Sequence, residues 1–311
     1  MKLAMVFPGQ GSQSVGMLAG YDAHPAVRQT FVEAGEVLAQ DLWALAADGP
    51  PEEISRTVNT QPLMLTADVA LYRAWRAAGG PEPAIAAGHS LGEYAALVMS
   101  DALALAEALP LVRFRAQAMQ EAVPAGTGAM AAVMGLDDAA LAAVCAEAAQ
   151  GQVVEPVNFN APAQIVIAGH REAVERAIAL AKTRGAKRGV LLPVSAPFHS
   201  SLLKPAAERL EAYLANVNLR APSIPVLHNV DVTSAATPDA VRHALARQAA
   251  SPVRWADTMR AFAAGGVTHI VECGPGAVLT GLAKRTVPEL AVYSTNDGDA
   301  LAAALSAIKE A

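Results

Sequence analysis

Short apolar runs alternate with longer amphipathic stretches along most of the chain. Residues 3–7 and 83–88 are apolar runs that end in Pro-Gly or Gly, the pattern of buried strands followed by tight turns. Helical spacing of apolar residues is found at 22–40, 60–79, from about 91, and at 105–122. Strands that alternate with helices of ten or more residues predict a parallel sheet covered on both faces.

The pattern changes between residues 124 and 195. Six elements are predicted there in the order strand, helix, strand, strand, helix, strand, at 130–134, 138–149, 153–158, 164–168, 172–183 and 189–194. This βαββαβ order is that of a ferredoxin-like unit. The first pattern then resumes, with helices at 202–215, 238–249 and from 277, and strands at 224–229 and 269–273. We therefore predict a discontinuous α/β domain, 1–123 and 196–311, interrupted by a small α+β domain, 124–195.

Composition narrows the class of protein. The 311 residues are 53% apolar and 17% charged, which suits a large core and excludes wholesale disorder. The net charge of −6 argues against nucleic acid as the main partner. The most apolar stretch, 95–112, contains Asp101, Glu107 and Pro110, so we expect no membrane span, and the N-terminal apolar run is too short for a signal peptide. A cytoplasmic location is expected.

The segment Gly88-His-Ser-Leu-Gly92 fits the pattern G-x-S-x-G. Because it lies between a predicted strand and a predicted helix, Ser90 is expected on a sharp turn with its hydroxyl exposed at the end of the sheet. The backbone amide of Leu91 then faces the oxyanion that forms when Ser90 attacks a carbonyl. The alternative is a Gly-Ser turn that only caps the helix.

A serine nucleophile needs a base, and His199 is the best placed of seven histidines. It follows the last strand of the small domain and precedes a helix, so it lies on a loop at a strand end. His89 is expected to point away from the side chain of Ser90. An ordinary loop histidine is the alternative for His199.

Arg115 lies on the apolar stripe of its predicted helix, whereas Arg113 does not. A guanidinium drawn inward needs an anionic partner, which is either an internal carboxylate or a substrate carboxylate held by two parallel hydrogen bonds.

Two glycine-containing loops are candidate ligand sites. Gly9-Gln-Gly11 lacks the third glycine of a dinucleotide fingerprint, and the amide of Gln10 fits better as a second oxyanion donor. Gly274-Pro-Gly276 is either a phosphate cradle at a helix N-terminus or a plain turn. The two cysteines, Cys145 and Cys273, have no metal-ligand spacing and are expected to be buried thiols, and we expect no metal site.

Together these residues resemble the malonyl-CoA:acyl carrier protein transacylase family, over nearly the whole chain. The landmarks are Phe7-Pro-Gly-Gln-Gly-Ser-Gln13, Thr60-Gln-Pro62, Gly88-His-Ser-Leu-Gly-Glu93, Arg115, Met119-Gln-Glu121, Gly126-Thr-Gly-Ala-Met130, Asn158-Phe-Asn160, Ala196-Pro-Phe-His199 and Glu272-Cys-Gly-Pro-Gly276. The resemblance implies a hydrolase-like α/β domain with a ferredoxin-like insert.

The resemblance also implies roles for residues at matching positions. Ser90 is the nucleophile and His199 its base, the amides of Gln10 and Leu91 form the oxyanion hole, and Arg115 binds the malonyl carboxylate. A main-chain carbonyl at Gln248 orients the histidine, although the surrounding segment 247–252 departs somewhat from the family wording. The implied reaction moves malonyl from coenzyme A to the phosphopantetheine thiol of an acyl carrier protein.

Several expectations about partners accompany that resemblance. No bound cofactor is expected, since the coenzyme A thioester is a substrate, and we expect a monomer. Acyl carrier proteins are acidic, so the basic cluster Lys182, Arg184, Lys187 and Arg188 is either a docking patch or an ordinary solvated helix end. A thioesterase or esterase, a non-catalytic carrier-binding module, and a malonate-decarboxylase or polyketide-pathway subunit remain as alternatives.

Overall fold

A five-stranded parallel sheet forms the centre of the larger, α/β part of the fold. The structure, a computed structural model, describes residues 1–194 and 196–311; Ser195, at the predicted domain boundary, lies outside them. The strands are β1 (Leu3–Phe7), β2 (Ile85–Gly88), β7 (Val226–Leu227), β8 (His269–Glu272) and β9 (Ala291–Ser294), in the spatial order β7-β2-β1-β8-β9. All their pairings are parallel.

Helices cover both faces of this sheet, as the alternation predicts. They are α1 (Pro25–Leu38), α2 (Leu42–Asp48), α3 (Pro51–Ser55), α4 (Thr57–Ala77), α5 (Gly92–Met99), α6 (Leu105–Glu121), α9 (Lys204–Leu214), α10 (Pro238–Gln248), α11 (Trp255–Ala264), α12 (Val278–Thr286) and α13 (Gly298–Lys309). Every residue of β1 is buried, with Met5 and Phe7 in one apolar cluster and Ala4 and Val6 in another. Two covered faces explain why β1 is uniformly apolar.

A four-stranded antiparallel sheet accounts for most of residues 124–194. Its strands are β3 (Gly128–Met134), β4 (Val154–Ala161), β5 (Gln164–His170) and β6 (Arg188–Leu191), in the spatial order β4-β5-β3-β6, with helices α7 (Asp138–Ala149) and α8 (Arg171–Thr183). Helices and strands follow each other in the predicted βαββαβ order. One face of β3 packs on α7 and α8 through Ala131 and Val133, while Met130 joins the core of the larger, α/β part.

Some elements are absent from the sequence prediction. Helices α2, α3, α11 and α13 and strand β9 fall where no element was expected. Helices α2 and α3 contain seven and five residues, too few to repeat an apolar stripe. Strand β9 is one of the two edge strands and is only partly buried, so its apolar pattern is weak. Among the described residues, no helix combines the length and apolarity needed to cross a bilayer.

Candidate active site

The turn between β2 and α5 is sharp and tightly packed. Ser90 has a φ of +52°, a left-handed conformation that non-glycine residues rarely adopt. A Cβ on Gly88 would lie 1.9 Å from the backbone of Gly92, and a Cβ on Gly92 would lie 2.1 Å from the carbonyl oxygen of Phe7. Asn229 supports the turn, since it accepts from the Ser90 amide (2.7 Å) and donates to the Gly88 carbonyl (2.7 Å). The glycines therefore let the serine sit at the carboxyl end of the sheet.

His199 contacts the serine from the segment before α9. Its Nε2 lies 2.7 Å from Ser90 Oγ, and its Nδ1 lies 2.9 Å from the main-chain oxygen of Gln248. Because a carbonyl only accepts hydrogen bonds, Nδ1 carries the proton and Nε2 is free to accept one from Ser90. The structure thus brings together three residues that are far apart in the chain.

The environment keeps the imidazole neutral. His199 is 3% exposed, and burial, followed by the nearby Arg115 charge, lowers its pKa to about 3. Since a neutral imidazole is the form that accepts a proton, His199 is in the form that can act as a base at neutral pH.

The loop after β1 lies directly against the serine turn. A Cβ on Gly9 would be 2.4 Å from the carbonyl oxygen of His89 and 3.6 Å from the amide nitrogen of Leu91. Gln10 and Leu91 both line the cavity beside Ser90, and no described residue accepts a backbone hydrogen bond from either amide. Two adjacent amides without protein acceptors suit an oxyanion.

The hydrogen-bond acceptors of Arg115 in the described part of the chain are neutral groups. It is 2% exposed, and it donates to Gln61 Oε1 (2.8 Å), Gln248 Oε1 (2.9 Å) and Ser90 Oγ (3.1 Å). Among the described residues, its Nε has no hydrogen-bond partner and no carboxylate forms an ion pair with it. The internal salt bridge considered from the sequence is therefore not present among the described residues. A buried cation that contacts no described carboxylate is suited to an anionic ligand.

These groups line one small cavity of about 100 Å³. Its lining residues are Gln10, Gln61, His89, Ser90, Leu91, Arg115, Met119, Met130, Asn158, Leu192, Val194, Phe198 and His199. Met119, Met130 and Phe198 supply the apolar part of this lining. A small cavity with both polar and apolar lining suits a short acyl group.

Several supporting residues had no role in the sequence prediction. Glu93, fully buried, accepts from His228 Nδ1 (2.8 Å), the Asn229 amide (3.0 Å) and Gln248 Nε2 (2.9 Å). Burial disfavours the charge on His228, but the Glu93 carboxylate more than offsets this and raises the pKa of His228. Glu93 is part of one of the family landmarks in the sequence, so a sequence signal for it existed. No sequence signal marked its partner His228.

His89 also differs in part from its prediction. Its Nε2 bonds to Asn160 Oδ1 on β4 (2.8 Å) rather than to Ser90, yet the ring lines the same cavity. Burial lowers its pKa. It therefore joins the serine turn to the antiparallel sheet.

For the loop 274–276 the structure favours the plain-turn alternative over the phosphate cradle. The carboxylate of Glu272 accepts from the amides of Leu279 (3.0 Å) and Thr280 (2.7 Å), so it occupies the N-terminus of α12. Cys273 beside it is buried, and burial raises the pKa of its thiol, so it stays protonated.

Comparison with known proteins agrees with this geometry. The acyl transferase domain family matches residues 4–306. The malonyl CoA-acyl carrier protein transacylase of Escherichia coli strain K12 is 56% identical over 305 residues, covering 98% of this chain and 99% of that protein. The crystal structure of an acyl-carrier-protein S-malonyltransferase from Burkholderia pseudomallei superposes with a TM-score of 0.97 at 58% identity, covering 98% of this chain and all of that one.

A further solved structure shows a relative with its partner. It is a complex of a type II PKS acyl-carrier protein with its malonyl-transacylase, with a TM-score of 0.97, 50% identity, and coverage of 99% of this chain and 100% of that one. These matches confirm the predicted fold class, a hydrolase-like parallel-sheet domain with an inserted ferredoxin-like subdomain. The chain belongs to the acyl transferase domain family and, within it, to the malonyl-CoA:acyl carrier protein transacylases.

Proposed function

We propose that this enzyme transfers the malonyl group from malonyl-CoA to the phosphopantetheine thiol of an acyl carrier protein, in fatty-acid biosynthesis. The observation that carries the proposal is the position of Arg115, whose guanidinium contacts no described carboxylate and donates to Ser90 Oγ at 3.1 Å. In a malonyl thioester the carboxylate lies two carbon–carbon bonds from the carbonyl carbon. A thioesterase for uncharged acyl groups has no use for such a charge.

Acylation follows from the hydrogen bonds of the site. Ser90 Oγ attacks the thioester carbon while its proton moves to His199 Nε2, and the Nδ1–H bond to the Gln248 carbonyl stabilises the imidazolium that forms. The amides of Gln10 and Leu91 stabilise the oxyanion of the tetrahedral intermediate. Its collapse breaks the carbon–sulfur bond, and His199 returns the proton to the departing coenzyme A sulfur.

The second half-reaction reverses these steps with a new thiol. The carrier thiol loses its proton to His199 and attacks the malonyl-serine ester, and Ser90 leaves with that proton. No step requires a cofactor. A second cleft, of about 420 Å³, shares Gln10, Leu192 and Val194 with the catalytic cavity and supplies room for the pantetheine arm.

The basic cluster Lys182, Arg184, Lys187 and Arg188 is proposed as the docking patch for the acidic carrier. All four residues are exposed, and Arg184 alone of them pairs with a described carboxylate, that of Glu147 (2.7 Å). Strand β6, which begins at Arg188, leads directly to Leu192 and Val194 at the cavity. The monomeric state and the cytoplasmic location stay predictions; all the named site groups come from one chain.

Mass spectrometry tests the proposal. The protein mixed with malonyl-CoA should gain one malonyl group on Ser90, the Ser90→Ala variant should gain none, and the acyl-enzyme should pass the group to a carrier thiol much faster than to water. Rapid hydrolysis would favour a thioesterase, and failure to acylate Ser90 would favour a non-catalytic carrier-binding module.

Arg188→Glu should raise the KM for the carrier and leave acylation by malonyl-CoA unchanged.

The pH dependence provides a separate prediction. Because the pKa of His199 is lowered to about 3, the base stays neutral throughout pH 5–8 and acylation of Ser90 should be nearly independent of pH there. NMR of labelled histidine should show a neutral His199 ring across that range, with a His199→Gln variant for assignment. Arg115→Met removes one charge that holds the pKa down, so the midpoint should rise. A wild-type midpoint near the reference value of about 6.5 would contradict the prediction.

A further inference from the structure

The side chain of Gln248 makes contacts that its main-chain role does not explain. This fully buried residue ends α10, and its main-chain oxygen accepts from His199 (2.9 Å). Its side-chain Oε1 accepts from Arg115 Nη2 (2.9 Å), and its Nε2 donates to both the Ser90 carbonyl (2.9 Å) and Glu93 Oε2 (2.9 Å). One amide therefore contacts the anion-binding cation, the nucleophile's backbone and a buried carboxylate.

The orientation of that amide is fixed by its neighbours. Arg115 only donates, so it must face the amide oxygen, whereas Glu93 and the Ser90 carbonyl only accept and must face the nitrogen. A flipped amide would set donor against donor and acceptor against acceptor at buried positions. The contacts thus specify glutamine at this position rather than any side chain of similar size.

The amide lies between two groups that would otherwise attract each other. Burial lowers the pKa of the Arg115 guanidinium, and Tyr94 and then Glu93 partly oppose that effect, so the Glu93 carboxylate is close enough to attract the Arg115 charge. A direct Glu93–Arg115 ion pair would occupy the positive charge, and the site would then lose its attraction for a substrate carboxylate. The Gln248 amide hydrogen-bonds to both side chains and is itself uncharged.

We propose that the side chain of Gln248 is a specificity-determining positioning residue, a neutral spacer that keeps Arg115 from pairing with Glu93 and so reserves its charge for the acyl carboxylate. This proposal rests on malonyl transfer being the activity. It is separate from the orientation of His199, which uses the main-chain oxygen and survives any substitution of the side chain.

The test compares Gln248→Met with Gln61→Met. Both remove one acceptor from Arg115, but among the described residues Gln61 makes no hydrogen bond to Glu93, so the second variant controls for the lost hydrogen bond. Kinetics of Ser90 acylation are measured with malonyl-CoA and with acetyl-CoA, the same thioester without a carboxylate. In Gln248→Met the malonyl preference, as a ratio of kcat/KM values, should fall about 10- to 100-fold, mainly through KM for malonyl-CoA. In Gln61→Met it should fall less than about fivefold.

Further readouts separate the spacer from other roles. The His199 NMR titration should match that of wild type in Gln248→Met, because the main-chain bond remains. Gln248→Asn, whose shorter amide cannot bridge both charges, should show an intermediate loss and serves if the methionine variant does not fold.

Two outcomes would overturn the spacer. If the malonyl preference falls equally in Gln248→Met and Gln61→Met, Gln248 acts only as one hydrogen-bond acceptor of Arg115. If malonyl and acetyl transfer fall in parallel in Gln248→Met, the side chain supports the serine turn and does not determine specificity. Wild-type enzyme that takes no malonyl group would instead overturn the proposed function, and this inference with it.

Discussion

Replacing Arg115 with methionine should lower kcat/KM for malonyl-CoA by about 10²- to 10³-fold, the cost of removing one partner from a buried charge pair. The value for acetyl-CoA should change by less than about tenfold, because an uncharged acyl group never used the guanidinium. Methionine fills much of the same buried volume, so the core beside α6 is retained. Acylation of Ser90 by each thioester, followed in single-turnover experiments, measures both numbers.

Arg113→Met is the matched control for that variant. Arg113 lies two residues away on the same helix and bonds to Gln40 and to the Leu38 carbonyl, away from the cavity. It should leave the malonyl preference intact. Arg115→Lys, which keeps the charge but has no planar fork of donors, should fall between wild type and methionine. Unchanged malonyl kinetics in Arg115→Met would rule out the carboxylate site.

Replacing Gly92 with alanine should lower kcat by about 10²- to 10³-fold, the effect of misplacing one oxyanion donor. Helix propensity alone favours alanine by about 1 kcal/mol. The new Cβ, however, would meet the carbonyl oxygens of Phe7 at 2.1 Å and Pro8 at 2.7 Å, and both are backbone atoms. The loop that places the Gln10 amide must therefore move. Thermal unfolding and single-turnover acylation should both show a loss.

Gly281→Ala separates the steric effect from helix propensity. Gly281 lies inside α12, and an added Cβ would contact nothing nearer than the flexible Arg285 side chain at 3.6 Å. That variant should be as active as wild type and slightly more stable. A Gly92→Ala enzyme with normal kcat would mean that the contact between β1 and the serine turn is dispensable.

The sequence predicted those features that depend on local pattern. Strand β1 and helix α7 follow from local apolar patterns, and the turn at Ser90 follows from glycines at a strand–helix junction. Both kinds of signal are visible in a short window of sequence. The inward position of Arg115 followed from helical spacing. Short or half-buried elements such as α2 and β9 carry too few apolar positions to register a period.

Local patterns could not predict the hydrogen bonds among the residues that support the site. The Glu93–His228 pair spans 135 positions in the chain, and the contacts of Gln248 with Ser90 and Glu93 span 158 and 155. Hydrogen bonds between residues so far apart leave no periodicity, because folding alone brings them within reach.

Some features of this protein are therefore determined by its local sequence, and others only by contacts between distant residues. Amino-acid order alone established the fold class, the serine turn and an arginine on an apolar stripe, since each arises from neighbours within a few residues. Three-dimensional packing established that Arg115 has neutral partners in place of a carboxylate and that His199 is neutral. It also placed the Glu272 carboxylate at the N-terminus of α12, where a phosphate was considered. These properties depend on burial and on which distant groups meet, and both are consequences of the folded chain.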